Sequence, residues 1–215
     1  MKEKIACIAG TPVDTEMGVE LLRENGYEAY AFPSSKTPTE ETFFQMSTYE
    51  VKLKKIKSII GDIKEQNIKK ILVYCNSLSS AVNFDELSKS ENIDIVTPLH
   101  VYVDDAKNYN CIGIIAANAI ATSKIEQVYM EANNNIRTIS VGMLPLVYSI
   151  ESKMKPSEIV GKHHLKELCK WFKDNGANAI LLGCTHFPYI YDELIKVSDL
   201  PIVEPSKKML ELLEH

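Results

Sequence analysis

The feature that most constrains this chain is an alternation. From end to end, short apolar runs are separated by longer amphipathic stretches. "KIACIAG" reads as a strand, "EMGVELLREN" as a helix and "GYEAYAF" as a second strand. Residues 40–66 carry apolar side chains at three and four spacing, which predicts one helical segment. "KKILVYC" is a third strand, "SAVNFDELSKS" a short helical or irregular stretch, and "IDIVTPL" a fourth apolar run opening a helix near Pro98. "CIGIIAAN", "IRTISVG", "ANAILLG" and "PIVE" continue the strands. Between and after them, "ATSKIEQVYMEANN", "PYIYDELIKVS" and "SKKMLELL" read as helices. "PSEIVGKHHLKELCKWFKDNG" reads as a single helix, with Pro156 and Ser157 at its start and Gly176 just past its end. Such alternation predicts an α/β fold of mainly parallel sheet flanked by helices. Ligands of these sheets bind beyond the carboxyl ends of the strands.

A second feature is an internal echo. "DIKEQNIKKILVYCNS" and "WFKDNGANAILLGCTH" share one plan: a charged helix ending, a polar turn, an apolar strand, then a cysteine and a small hydrogen-bonding residue. Cys75 and Cys184 are separated by about half the chain. The expected architecture is therefore two pseudo-symmetric lobes with the active site in the cleft between them. The first lobe is placed at 1–96 plus 205–215 and carries Cys75; the second, 97–204, carries Cys184.

Composition removes several function classes. The 215 residues are 45% hydrophobic and 25% charged, as in an ordinary globular protein. A net charge of −5 argues against a nucleic-acid surface. No apolar run approaches the roughly 20 residues of a membrane span. "MKEKIACIAG" lacks the form of a signal peptide, so a cytoplasmic location is expected. The five cysteines are odd in number, widely spaced and without a C-x-x-C pair, which fits neither a disulfide framework nor a zinc site. Cys7, Cys111 and Cys169 sit in apolar contexts and read as small core residues. "GTPVDTEMG" lacks the G-x-G-x-x-G spacing and no Walker pattern occurs, so no cofactor is expected. The final "LEH" resembles the start of an affinity-tag scar, and His215 is set aside on that ground.

Cys75 and Cys184 each lie where a strand turns into a following helix, a position whose dipole favours a thiolate. Two opposed thiols suit removal of a proton from one face of a small molecule and its return on the other, which inverts a stereocentre. Asn76, Ser77 and Thr185 supply neutral donors, with backbone N–H groups, for a carboxylate on which charge builds. His186 is placed to polarise the substrate or tune Cys184.

At these residues the chain resembles the aspartate/glutamate racemase superfamily. "GCTHFP" (183–188) is similar to the second-cysteine motif of glutamate racemases, and "YCNSLSSA" (74–81) to the first. The resemblance implies a cofactor-independent racemase of an acidic amino acid, glutamate or aspartate. Cys75 and Cys184 would be its two bases, and the family is commonly homodimeric. "DTEMG" (14–18) fits the family's first-strand motif if "GTPV" is an insertion, making Asp14 a catalytic candidate beside Cys75 and Thr15 a substrate contact. Asp14 equally reads as the N-cap of a helix beginning near Glu16.

Other segments depart from the family. In "FPSSKTPTEE" (32–41), Ser34 and Ser35 stand where a Tyr-Gly pair grips the distal carboxylate. In "MLPLVYSIE" (143–151), Tyr148 replaces a glutamate of the catalytic site. The usual threonines of "AANAIATS" become Ala117 and Ile120. These changes spare the proton-transfer groups and fall on substrate-holding positions, so glutamate specificity does not follow. A racemase of another amino acid, a dicarboxylate isomerase or lyase, and a binding protein that has lost turnover are the alternatives. A metal site joining Cys184, His186 and the pair His163-His164 is not expected, because adjacent helical positions face different directions.

Overall fold

The computed structural model describes residues 3–214, so His215 lies outside them. The chain divides into two compact units, Met1–His100 with Ser206–His215, and Val101–Pro205. Each holds a four-stranded parallel sheet flanked by helices.

The first unit begins with β1 (Lys4–Ala9), whose residues from Ile5 onward are all buried. Burial on both faces is what a central parallel strand requires. Next come α1 (Pro12–Glu24), β2 (Glu28–Pro33), α2 (Pro38–Met46) and α3 (Tyr49–Glu65). β3 (Lys70–Val73), α4 (Asn76–Ser79), α5 (Phe84–Glu91) and β4 (Asp94–Val96) complete the sheet, in the order β2-β1-β3-β4. Ile8 lies opposite Phe32 on one side and Val73 on the other, so β1, β2 and β3 end at one rim. Helix α1 packs tightly on this sheet at Gly18. A Cβ there would lie 2.5 Å from Cys7 Sγ and 2.8 Å from the Tyr74 ring. The core is aliphatic, with Ile5, Leu22, Ile56, Ile60 and Ile71 fully buried.

Helix α6 (Pro98–Asp105) runs across the division. The second unit then repeats the plan with β5 (Cys111–Ala116), α7 (Ala119–Ala132), β6 (Arg137–Gly142), α8 (Leu144–Glu151), α9 (Pro156–Lys162), α10 (Leu165–Asp174) and β7 (Ala179–Gly183). A 3-10 turn (Phe187–Ile190), α11 (Tyr191–Leu194) and β8 (Ile202–Val203) follow. Its order, β6-β5-β7-β8, repeats that of the first sheet strand for strand. Phe172 of α10 packs close against Gly113 of β5, where a Cβ would sit 2.7 Å from the ring. Tyr102 and Tyr129 stack with centroids 5.5 Å apart, and the Tyr129 hydroxyl donates to Asp105 at 2.8 Å. The chain ends in α12 (Ser206–Leu213), which belongs to the first unit; there the Tyr74 hydroxyl and Ser206 Oγ are 3.1 Å apart. Among the described residues, no helix is long and apolar enough to cross a membrane. Cys7, Cys111 and Cys169 are buried free thiols.

Several helical expectations need correction. The segment 40–66 is two helices, because Ser47 and Thr48 take extended backbone and Ser47 Oγ donates to the Phe44 carbonyl at 2.6 Å. The segment 156–176 is also two helices, parted at His163-His164, where His164 adopts a left-handed φ of 50°. The histidine pair is thus a break, not two faces of one helix. "PYIYDELIKVS" holds only a 3-10 turn and the single turn α11. Helix α1 starts at Pro12, earlier than Glu16, with Thr11 as its cap.

Candidate active site

Cys75 follows β3 and caps the short helix α4, its sulfur accepting the Leu78 N–H at 3.5 Å. Ser77 Oγ lies 3.4 Å from the same sulfur, and Ser79 Oγ donates to the Cys75 carbonyl at 2.6 Å. The thiol is buried. Burial first, then the negative charges of Asp14 and Glu41, push its pKa well above the ordinary cysteine value; the bonds from Ser77 and Leu78 oppose this without reversing it. The lowering expected from the helix start is present in the Leu78 N–H bond, but burial and the two carboxylates outweigh it. Helix α4 has only four residues, and its end meets a dry, negatively charged surround.

Asp14 stands inside the first turn of α1, not at its cap. Its N–H donates to Thr11 Oγ1 at 3.3 Å, so Thr11 does the capping. The Asp14 carboxylate accepts the Gly10 N–H at 3.4 Å and is 1% exposed, which holds a carboxylate at the carboxyl end of β1. The Thr15 hydroxyl is turned back onto the Thr11 carbonyl at 2.6 Å. Asn76 and Ser77 are buried beside Cys75.

Ser34 and Ser35, just past β2, bond to a residue that the sequence did not single out. Both hydroxyls donate to Glu41 Oε2, at 3.0 and 2.9 Å, and Gln45 Nε2 donates to Glu41 Oε1 at 3.1 Å. The available signal was spacing: Glu41, Phe44 and Gln45 form one inward stripe on α2, and a glutamate on an inward stripe marks a buried carboxylate.

In the second unit, Cys184 follows β7, the strand equivalent to β3. Its sulfur lies 3.6 Å from His186 Nδ1, and His186 Nε2 lies 3.0 Å from Glu151 Oε1. Cys184, Thr185 and His186 are all buried. Glu151 ends α8, a helix absent from the sequence reading, and stands one turn beyond Tyr148. Tyr148 itself is 44% exposed and is not part of this chain of groups. A carboxylate bonded to one imidazole nitrogen fixes the ring and leaves the other nitrogen facing the thiol, an arrangement that can take and return a proton. His163 does not join it: its Nε2 lies 2.9 Å from Ser149 Oγ. Burial and neighbouring Lys162 lower the His163 pKa. Among the described residues, no group of three or more His, Cys, Asp or Glu is arranged to hold a metal ion.

Comparison with known proteins gives two kinds of likeness, and no family model matches. The chain is 31% identical to a glutamate racemase of Clostridium botulinum over 151 residues, covering 67% of this chain and 58% of that protein. It is 30% identical to a glutamate racemase of Clostridium kluyveri over 160 residues, covering 70% and 60%. It thus spans less than two thirds of the length of these curated relatives. Among solved structures, a Francisella tularensis glutamate racemase in complex with D-glutamate superposes with a TM-score of 0.79 at 21% identity, over 99% of this chain and 80% of that one. An aspartate racemase homologue from Pyrococcus horikoshii gives 0.72 at 14% identity, over 100% of both chains. These structural likenesses establish the two-lobed α/β fold.

Proposed function

The chain belongs to the aspartate/glutamate racemase superfamily, and on that premise we propose that it is an amino acid racemase using Cys75 and Cys184 as its two bases. The observation that carries the reading is the duplicated topology. Each cysteine follows the third strand, in chain order, of a sheet with the same strand order, and each has an acid/base group of its own unit nearby. For Cys184 that group is His186; for Cys75 it is Asp14, the first carboxylate acting on its charge.

In the forward direction His186 Nδ1 takes the proton of Cys184, and Glu151 steadies the resulting imidazolium. The thiolate then removes the α-proton. Cys75, held as a thiol by burial and two carboxylates, gives its proton to the opposite face of the α-carbon. Reversal uses the same groups, with Asp14 as the acceptor near Cys75. Asn76, Ser77 and Thr185 donate to the α-carboxylate as negative charge builds there. Thr15 supports the substrate end of α1 through its own helix bond. The scheme calls for no cofactor. A cytoplasmic location and a homodimer belong to the same proposal, as do the lobe boundaries at 96/97 and 204/205; fractionation, light scattering and limited proteolysis test these.

The test is incubation of both enantiomers of each common amino acid, glutamate and aspartate included, in D2O. The expected result is deuterium at the α-position of the inverted product, reduced by roughly 10²- to 10⁴-fold in Cys75→Ala and Cys184→Ala. Full turnover in both variants would overturn the assignment of bases.

A further inference from the structure

Glu41 is 6% exposed, and its three partners, Ser34, Ser35 and Gln45, are all uncharged. Burying a carboxylate with only neutral donors is costly, so such a group calls for an explanation. Its place in the fold supplies one. The sheet order puts the end of β1 between the ends of β2 and β3. Ser34 and Ser35 lie just past β2, Gly10 just past β1 and Cys75 just past β3. A Cβ on Gly10 would come within 3.1 Å of Glu41 Cγ, so the glutamate side chain lies over the end of β1. Its charge is also felt at the Cys75 sulfur. Neighbouring strands are about 4.8 Å apart, so Glu41 is within one amino-acid side chain of a molecule reacting at Cys75.

In the sequence, Ser34 and Ser35 stand as candidate substrate contacts, in the place of the Tyr-Gly pair that grips a distal carboxylate in the family they resemble. In the structure both hydroxyls already lie within hydrogen-bond distance of the protein's own carboxylate, and the Gly10 carbonyl, 3.3 Å from Ser34 Oγ, is a second internal acceptor for Ser34. A second carboxylate brought to this rim would meet like charge and two engaged donors. A side chain carrying an N–H or O–H would instead find an acceptor. An ionised carboxylate offers about four lone-pair sites, and the three bonds to Glu41 leave room for one more, on Oε1.

We propose that Glu41 determines specificity on the Cys75 side of the site, selecting an amino acid whose side chain donates a hydrogen bond over one whose side chain is a carboxylate. This rests on the racemase reading above. It makes the side-chain amides, not the acids, the favoured members of the isosteric pairs glutamine/glutamate and asparagine/aspartate. Sites built around a hydrogen bond reject an isostere that cannot make it far better than apolar pockets reject a missing methylene.

The experiment measures kcat/KM for α-deuterium incorporation with L-glutamine, L-glutamate, L-asparagine and L-aspartate, in the wild type and in Glu41→Gln. The expected wild-type amide-to-acid ratio is at least about tenfold in one pair, falling at least about tenfold in Glu41→Gln. Circular dichroism and thermal melting establish that the variant folds; if it does not, the wild-type ratio decides. Equal or faster turnover of the acids by the wild type overturns the specificity proposal and leaves the racemase reading standing. An unchanged ratio in folded Glu41→Gln overturns the role of Glu41. Absence of exchange with every amino acid overturns the racemase reading itself, and this inference with it.

Discussion

At the residue scale the two cysteines differ. Cys75 sits among carboxylates and dry surroundings that keep its proton on, whereas Cys184 faces an imidazole braced by Glu151. Thiolate is the form that reacts with alkylating agents. Iodoacetamide labelling of Cys75, followed by peptide mass spectrometry, should therefore be slow at pH 7 and still climbing above pH 9. Removing the negative charge with Asp14→Asn should lower the Cys75 pKa and move that labelling profile to lower pH; a profile unmoved by the substitution would count against the electrostatic account. On the other side, His186→Ala should lower kcat by roughly 10²- to 10⁴-fold. Glu151→Gln keeps the shape but removes the charge that steadies the imidazolium. It should cost less than His186→Ala and shift the pH profile of kcat, whereas a purely structural role would leave that profile in place.

At the scale of elements, the rim carrying Cys75 depends on how closely α1 approaches the sheet. Gly18 permits that approach: Gly18→Ala would drive a methyl into Cys7 Sγ and the Tyr74 ring. The expected cost is about 1–3 kcal/mol in urea unfolding, as for overpacked cores. Tyr74 adjoins Cys75, so relief of the clash should also perturb labelling of that thiol. Thr11 is the other support, capping α1 and setting the turn that presents Asp14. Thr11→Ala should destabilise by about 1 kcal/mol, measured as a lower urea midpoint. The breaks at Ser47-Thr48 and His163-His164 show the opposite effect, with extended backbone at the first and a left-handed His164 at the second dividing segments whose apolar spacing alone reads as continuous helix.

For the molecule as a whole, buried acids that keep their protons tie stability to alkaline pH. Cys7 and Cys75 both have raised values, with burial the first cause in each. The sign follows from which state holds more protons. Below the unfolded cysteine pKa of about 8.5, both states are protonated and the contribution is complete. Above it, the unfolded chain releases protons that the native thiols retain, so unfolding becomes more favourable as pH rises. Urea midpoints should accordingly fall from about pH 8.5 upward, and Cys7→Ala should make that fall shallower than in the wild type. A midpoint constant through pH 10 would contradict the burial of these thiols.

The sequence by itself determined the alternation of strand and helix, the α/β class and the echo around Cys75 and Cys184. Those are local properties: apolar period, turn residues and strand-end motifs recur wherever the chain repeats them. Matching strand orders in the two sheets then gave the echo its structural meaning. Only the tertiary structure decided what surrounds each sulfur. That Glu41 takes the hydroxyls of Ser34 and Ser35, that Glu151 reaches His186 from a helix missed in the apolar pattern, and that Asp14 lies within α1 all depend on which elements pack together. Periodicity records which face of an element is buried, but not which side chain from another element will meet it there.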